Sequence, residues 1–283
     1  MISLSECIRL AIKEDIGKGD ISSLAVLPTL QQARAVCLVK APCTIAGLEI
    51  AEQVCVTIDP SLNCNWLVKD GDSILENQII GSIIGSIHSI LKAERLLLNI
   101  LQRMSGIATK TARLVALVKP YGTIILDTRK TTPNFRICEK RAVRIGGGSN
   151  HRMGLDDMIL IKDNHIAAAG GIHLAIENCL KYSTQHQLEL PIIIEVKNEE
   201  EFSIAAKFDE IDRILVDNFT PAELKKLVAQ NHKHRKLEAS GGINEMNVVE
   251  YAQSGVDYLS IGNLTHHVES VDISLKINED VIH

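Results

Sequence analysis

Ile192-Ile193-Ile194, followed by Glu195, is an unbroken apolar run that ends in a carboxylate. Similar runs lie on either side of it. Ile124-Ile125-Leu126 precedes Asp127, and Met158-Ile159-Leu160-Ile161 precedes Lys162. Ile214-Leu215-Val216 leads to Asp217, Lys236-Leu237-Glu238-Ala239 to Ser240, and Tyr258-Leu259-Ser260-Ile261 to Gly262. Continuous apolar runs of this length mark strands covered on both faces. Most are separated by enough chain for one helix, so the expected class is α/β, with strand-helix units building a parallel sheet. When such a sheet curls into a barrel, chemistry gathers at the carboxyl ends of its strands. The two acids Glu195 and Asp217, Lys162 and the glycine turns are therefore expected to face one pocket.

Outward from these runs the pattern changes. Leu4, Ile8, Ala11 and Ile12 share one helical face, with Ser3 or Ser5 as the cap and Gly17 as the stop. Residues 33–87 read as strands and turns of a small sheet-containing domain, broken at Pro42, Asp70-Gly71 and Asn77. Glu94 to Val118 is helical, with Leu97, Ile100, Leu101 and Met104 as its apolar stripe and Gly106 as an expected break. This helix is expected to link two domains. Val271 to Ile277 alternates like a half-exposed strand and is expected to fold back on the first domain.

Composition removes several function classes. The chain has 283 residues, 46% of them hydrophobic, which is enough for a large core. A net charge of -5 gives no general attraction to nucleic acid or anionic membranes, and 3% aromatics argues against a stacking platform. Seven cysteines without C-x-x-C spacing fit free thiols in a reducing compartment. No secretory pattern opens the chain, and the most apolar window, Gln78 to Leu91, is too short and too interrupted to span a bilayer. The expected setting is the cytoplasm.

One stretch is basic against this acidic average: Arg129, Lys130, Arg136, Lys140, Arg141, Arg144, His151, Arg152 and Lys162. Lys140, Arg141 and Arg144 fit either a polyanionic ligand or a solvated helix face. Arg129, Lys130 and Lys162 sit at strand ends and fit a ligand with several negative charges, because guanidinium forks bind carboxylate and phosphate oxygens in pairs. Gly146-Gly147-Gly148-Ser149-Asn150 can present backbone N–H groups, or let His151 and Arg152 approach such a ligand. Glu195 and Asp217, ending adjacent strands, suit ribose hydroxyls, Mg2+ or an oxocarbenium-like centre, unless one of them only salt-bridges Lys162 or Lys130. Ser240-Gly241-Gly242 and Ser260-Ile261-Gly262 suit a phosphate cradle. His232 with His234, and His266 with His267, resemble metal pairs only superficially, each lacking a third ligand nearby in sequence. Composition and spacing thus reach a pocket for a phosphorylated sugar and a small polyanion, without naming the reaction.

Asp127-Thr128-Arg129-Lys130-Thr131-Thr132-Pro133, Asn150-His151-Arg152 and Leu160-Ile161-Lys162-Asp163-Asn164-His165 resemble the signature of the quinolinate phosphoribosyltransferase family. The likeness continues through Glu14-Asp15, Gly19-Asp20, Glu94-Arg95, Leu98-Asn99, Ser105-Gly106-Ile107-Ala108-Thr109, Leu237 to Gly242 and Ser260 to Gly262. It implies an N-terminal α/β sandwich over 1–108, with 268–283 returning to it, and an incomplete, open α/β barrel over 109–267. It implies transfer of phosphoribose from 5-phosphoribosyl-1-pyrophosphate to quinolinate with decarboxylation, Mg2+ as cofactor, and a homodimer sharing its active sites. Arg95 (across the interface), Thr128, Arg129, His151, Arg152 and Lys162 would then hold quinolinate. Lys130, Glu195, Asp217, Ser240, Gly241, Gly242, Ser260, Ile261 and Gly262 would hold the donor, with Glu195 and Asp217 toward the metal. Lys130, Lys162, Glu195 and Asp217 would be the catalytic set. Asn134-Phe135 and Arg141 depart from the family pattern, away from these contacts. The rival expectations are a related transferase using nicotinate or another acceptor, and a non-catalytic sensor of phosphorylated ligands.

Overall fold

The computed structural model describes residues 2–28, 31–231 and 235–277. His232, His234 and the 278–283 end of the tail lie outside the described residues. The chain divides into two compact units. One comprises Met1–Ala112, Thr131–Gly147 and Leu264–His283; the other comprises Arg113–Lys130 and Gly148–Asn263.

In the first unit, α1 (Leu4–Ile16) starts in a reciprocal capping box between Ser3 and Glu6 and stops at Gly17. After α2 (Ile21–Val26), strand β1 (Gln32–Val39) buries Ala33, Ala35, Cys37 and Val39 on one face. The short strands β2 (Cys43–Thr44) and β4 (Ser73–Ile74) pair with each other. Between them lies α3 (Leu48–Ile58), where the sequence reading expected only strands and turns. Its buried Leu48, Ala51, Val54 and Cys55 recur at helical spacing, and this packing outweighs the strand preference of Val56, Thr57 and Ile58. Strands β3 (Asn63–Trp66) and β5 (Gln78–Ser86) join β1 and the terminal β12 (Ile273–Ile277) in an antiparallel sheet ordered β12-β1-β5-β3.

Helix α4 (Ile87–Val118) begins earlier than expected and runs unbroken through Gly106 into the second unit's sequence. A Cβ at Gly106 would lie 2.1 Å from the carbonyl oxygen of Glu269. Glycine there permits a close backbone approach, and no break follows. Helix α5 (Arg136–Ile145) bears on the two readings of its basic residues. Lys140 is 1% exposed and cannot belong to a solvated face, while Arg141 pairs with Glu49. The buried Glu139 accepts Arg103 Nε at 2.8 Å and the Thr132 N–H at 3.0 Å, anchoring the chain just after Lys130. Asn134 has φ +61, a left-handed conformation that asparagine tolerates and glycine adopts freely.

The second unit supplies all the expected parallel strands. They are β6 (Ile124–Leu126), β7 (Ile159–Ile161), β8 (Ile192–Val196), β9 (Arg213–Asp217), β10 (Lys236–Ser240) and β11 (Tyr258–Ser260). Helices α6 (Asp163–Ala169), α7 (Ile172–Gln185), α8 (Glu199–Ala205), α9 (Pro221–Gln230), α10 (Val248–Gln253) and α11 (Asn263–His266) connect or follow them. The order is β6-β11-β10-β9-β8-β7, every pair parallel. Strands β6 and β7 stand at the edges, and no ladder joins them among the described residues, so the sheet is an open one.

Register then decides which side chains meet. Ile161 pairs with Ile194, Glu195 with Leu215, and Ser240 with both Asp217 and Ser260. Paired residues of a parallel sheet point to the same face, as do residues two apart along a strand. Lys162, Glu195, Asp217, Glu238, Ser240 and Ser260 therefore share one face. Below the first three, Leu160, Ile193 and Leu215 pack together with Met158 on that same face.

Candidate active site

The carboxyl end of the sheet gathers the expected ionic groups of the second unit. Lys162 follows β7 and Glu195 lies near the end of β8, so the register sets them side by side. Lys162 Nζ donates to Glu195 Oε2 at 2.8 Å. Glu195 is 9% exposed but the Lys162 side chain keeps 45% of its surface in solvent, so the pair is only half shielded. His165, whose role the sequence left open, accepts the Lys162 main-chain N–H on Nδ1 at 2.9 Å and fixes the entry to α6. Asp217 ends β9 one pleat beyond Glu195 on the neighbouring strand, about 8 Å away between Cα atoms from strand spacing and rise. Its Oδ2 accepts Asn218 Nδ2 at 2.6 Å.

After β6 the fully buried Asp127 organises the basic segment. Its Oδ1 accepts the His151 N–H at 2.8 Å and its Oδ2 accepts the side chain of Asn150. Thr128 Oγ1 accepts the Lys130 N–H at 3.1 Å, closing the turn that presents the exposed Arg129 and Lys130. Both His151 and Arg152 are buried. Burial first, and the neighbouring Arg129 charge second, push the Arg152 guanidinium below its ordinary proton affinity, partly offset by Asp157. The exposed Arg129 thus stands near enough to the buried Arg152 for one charge to act on the other, and an anion bound between them would relieve that repulsion.

The two glycine turns differ. Gly241 and Gly242 have φ +100 and +62, and a Cβ at Gly242 would meet nothing within 4 Å, so this turn opens onto free space. In the second turn the Ser260 hydroxyl donates inward to Glu238, and the Ile261 N–H donates to the Leu126 carbonyl at 2.9 Å. Those two groups, expected to cradle phosphate, are engaged within the sheet. Arg95 is exposed on α4 in the first unit.

Sequence reading missed the centre of this arrangement. Glu238 sits in mid-strand, fully buried, with Arg213 Nη1 on its Oε2 at 2.7 Å and His151 Nε2 3.3 Å from its Oε1. The Arg213 guanidinium lies 4.0 Å over the Tyr258 ring. Burial pushes the Glu238 carboxyl up, but His151, Ser260 and Arg213 outweigh it and hold the group below the usual carboxylate range. The available signal was a carboxylate inside an apolar run beside a strand that starts with arginine.

Comparison with known proteins finds relatives along nearly the whole chain. A family model described as quinolinate phosphoribosyl transferase, N-terminal domain, matches residues 20–105, and one described as its C-terminal domain matches residues 107–276. The chain is 40% identical over 293 residues to the chloroplastic nicotinate-nucleotide pyrophosphorylase (carboxylating) of Arabidopsis thaliana, covering 98% of this chain and 84% of that protein. It is 39% identical over 293 residues to the mitochondrial quinolinate phosphoribosyltransferase (decarboxylating) 2b of Nicotiana tabacum, covering 98% and 83%. A solved nicotinate-nucleotide pyrophosphorylase from Francisella tularensis superposes with a TM-score of 0.90 at 36% identity, covering 97% of this chain and 96% of that one. With both halves matched in order and relatives this similar over nearly the full length, the chain belongs to the quinolinate phosphoribosyltransferase family.

Proposed function

We propose that this enzyme joins quinolinate to the ribose of 5-phosphoribosyl-1-pyrophosphate, releasing pyrophosphate and CO2 and leaving nicotinate mononucleotide, a step toward NAD. The observation that carries the acceptor is the buried Arg152 guanidinium with the charge of Arg129 acting on it. A dicarboxylate relieves that repulsion better than a monocarboxylate. Thr128, His151 and Lys162 complete the acceptor set, together with Arg95 of the partner subunit in a homodimer. The seven free thiols fit a reducing compartment such as the cytoplasm, and no described helix is long and apolar enough to cross a membrane.

Lys130 neutralises the leaving pyrophosphate, and Ser240, Gly241, Gly242 and Gly262 hold the 5-phosphate. Glu195 and Asp217 face the ribose. As its bond to pyrophosphate breaks, positive charge grows at the anomeric carbon, and the two carboxylates stabilise it. The pyridine nitrogen of quinolinate forms the new bond. The ring, now cationic, accepts the electron pair left when the adjacent carboxylate departs as CO2, and a proton takes its place on the ring carbon. The protein positions and neutralises, without a covalent nucleophile.

Mg2+ fits this donor set. No group of three or more His, Cys, Asp or Glu side chains is gathered among the described residues. Magnesium needs only one or two carboxylates when phosphate oxygens and water fill its other positions. Asp217 and Glu195 would hold it, and its charge would add to that of Lys130 on the pyrophosphate. The test is release of CO2 from carboxyl-labelled quinolinate, dependent on the phosphoribosyl donor. Consumption of nicotinate in place of quinolinate would overturn the reading.

A further inference from the structure

Glu238 is a fully buried acid that the reaction above does not use. An ion pair with Arg213, itself stacked on Tyr258, would suffice to neutralise it, and that pair occupies only Oε2. The other oxygen, Oε1, accepts the Ser260 hydroxyl and lies 3.3 Å from His151 Nε2. On the far side of the same imidazole, Nδ1 accepts the main-chain N–H of Arg152 at 2.8 Å. An accepting Nδ1 carries no proton, so the ring proton sits on Nε2, toward Glu238. The Asn150-His151-Arg152 segment is therefore gripped twice. Asp127 accepts its backbone N–H, and Glu238 Oε1 faces its ring nitrogen Nε2 at 3.3 Å.

We propose that Glu238 is a positioning residue of the acceptor site: through the His151 imidazole it fixes the direction in which Arg152 meets the carboxylates of the acceptor. The inference rests on the reading that Arg152, with Arg129, binds quinolinate. It adds that His151 acts on the acceptor through Arg152, because its ring nitrogens face Glu238 and the Arg152 main chain. An arginine fork is directional, so a small rotation of the 151–152 peptide costs affinity for a planar dianion while leaving the donor end in place.

Glu238→Gln keeps the size of the side chain but turns an N–H donor toward either Arg213 or His151. The expected result is a rise of about tenfold or more in the KM for quinolinate. The KM for 5-phosphoribosyl-1-pyrophosphate should stay within about twofold, since the donor contacts are untouched. Glu238→Asp, which restores the charge, should recover part of the loss. In a double-mutant cycle, adding Glu238→Gln to His151→Ala should cost nothing further, because the carboxylate acts through that ring. In the unmutated enzyme, nitrogen NMR of 15N-labelled histidine should report His151 with its proton on Nε2, a reading that does not depend on any variant folding. An Nδ1–H imidazole, an unchanged quinolinate KM in folded Glu238→Gln, or equal rises in both KM values would each overturn the proposal. An unmutated enzyme that consumes no quinolinate would instead sink the functional reading, with the NMR result still informative about the ring.

Discussion

Gly241→Ala and Gly242→Ala, made one at a time, separate the fold of the first glycine turn from its work. Gly241 has φ +100, and its Cβ would stand 2.2 Å from Asn218 Oδ1 and 2.9 Å from the Asn218 main-chain nitrogen. The side-chain oxygen can swing away, at the expense of the Asn218 bond to Asp217. The main-chain nitrogen cannot, because its N–H is bonded to the Ser240 carbonyl at 2.8 Å. Backbone strain of about 1–3 kcal/mol adds to an overpacking cost of about 1–3 kcal/mol, so a loss of about 2–6 kcal/mol is expected. At Gly242 φ is +62 and the methyl meets open space, so only the left-handed penalty of about 1–2 kcal/mol applies. That methyl would project into the space proposed for the 5-phosphate. Urea unfolding should therefore show Gly241→Ala clearly destabilised and Gly242→Ala only slightly. Initial rates should show Gly242→Ala with a donor KM raised about tenfold or more and a quinolinate KM nearly unchanged. A normal donor KM in Gly242→Ala would remove the phosphate from this turn, and full stability in Gly241→Ala would refute the collision argument.

Gly106→Ala tests the close approach of 269–270 to α4: helix propensity alone promises a gain of about 1 kcal/mol, but a methyl 2.1 Å from the Glu269 carbonyl should reverse the sign, so a raised unfolding midpoint would contradict it. Lys162→Ala strips Glu195 of its cation and should abolish most turnover in steady-state assays while circular dichroism stays native; a fully active variant would remove Lys162 from the chemistry. Arg95→Ala and Arg129→Ala, each inactive alone, should regain part of their activity when mixed and allowed to exchange subunits, and no recovery after demonstrated exchange would count against a shared site. Glu238, held below the ordinary carboxyl value of 4.5, stabilises the fold fully above that value and loses its contribution as pH falls through the depressed one. Urea midpoints measured from about pH 6 to about pH 3 should therefore fall more steeply in the unmutated protein than in Glu238→Gln, and equal slopes would refute this.

What the sequence disclosed follows from what hydrophobic patterning can report. A strand buried on both faces is mostly apolar, so all six parallel strands were legible from Ile124 to Ser260. Chemistry at strand ends was legible for the same reason, since Asp127, Lys162, Glu195 and Asp217 interrupt the runs at their carboxyl ends. Helix α3 was not, because Val54, Val56, Thr57 and Ile58 favour strands and only tertiary burial of Leu48, Ala51 and Val54 selects the helix. Lys140 was left open for a related reason: charge alone suggests either ligand or solvent, and nothing in local pattern reveals that Glu139 and Lys140 are buried alongside Cys138, Ala142 and Val143.

Register was the deepest omission. Run lengths say that strands β7, β8 and β9 are neighbours, but a slip of one residue would send a side chain to the opposite face. Pairing Ile161 with Ile194 puts Lys162 beside Glu195, and pairing Glu195 with Leu215 puts Asp217 on the same side one pleat further on. The same alternation brings Glu238 to that face, under the residues that end the strands. A charged side chain in the middle of an apolar run can remain ionised only with partners supplied by register, here Arg213, Ser260 and His151. Such a residue in sequence is therefore the place to look for a buried network beneath a site, even when the strand ends have already offered enough groups to account for the reaction.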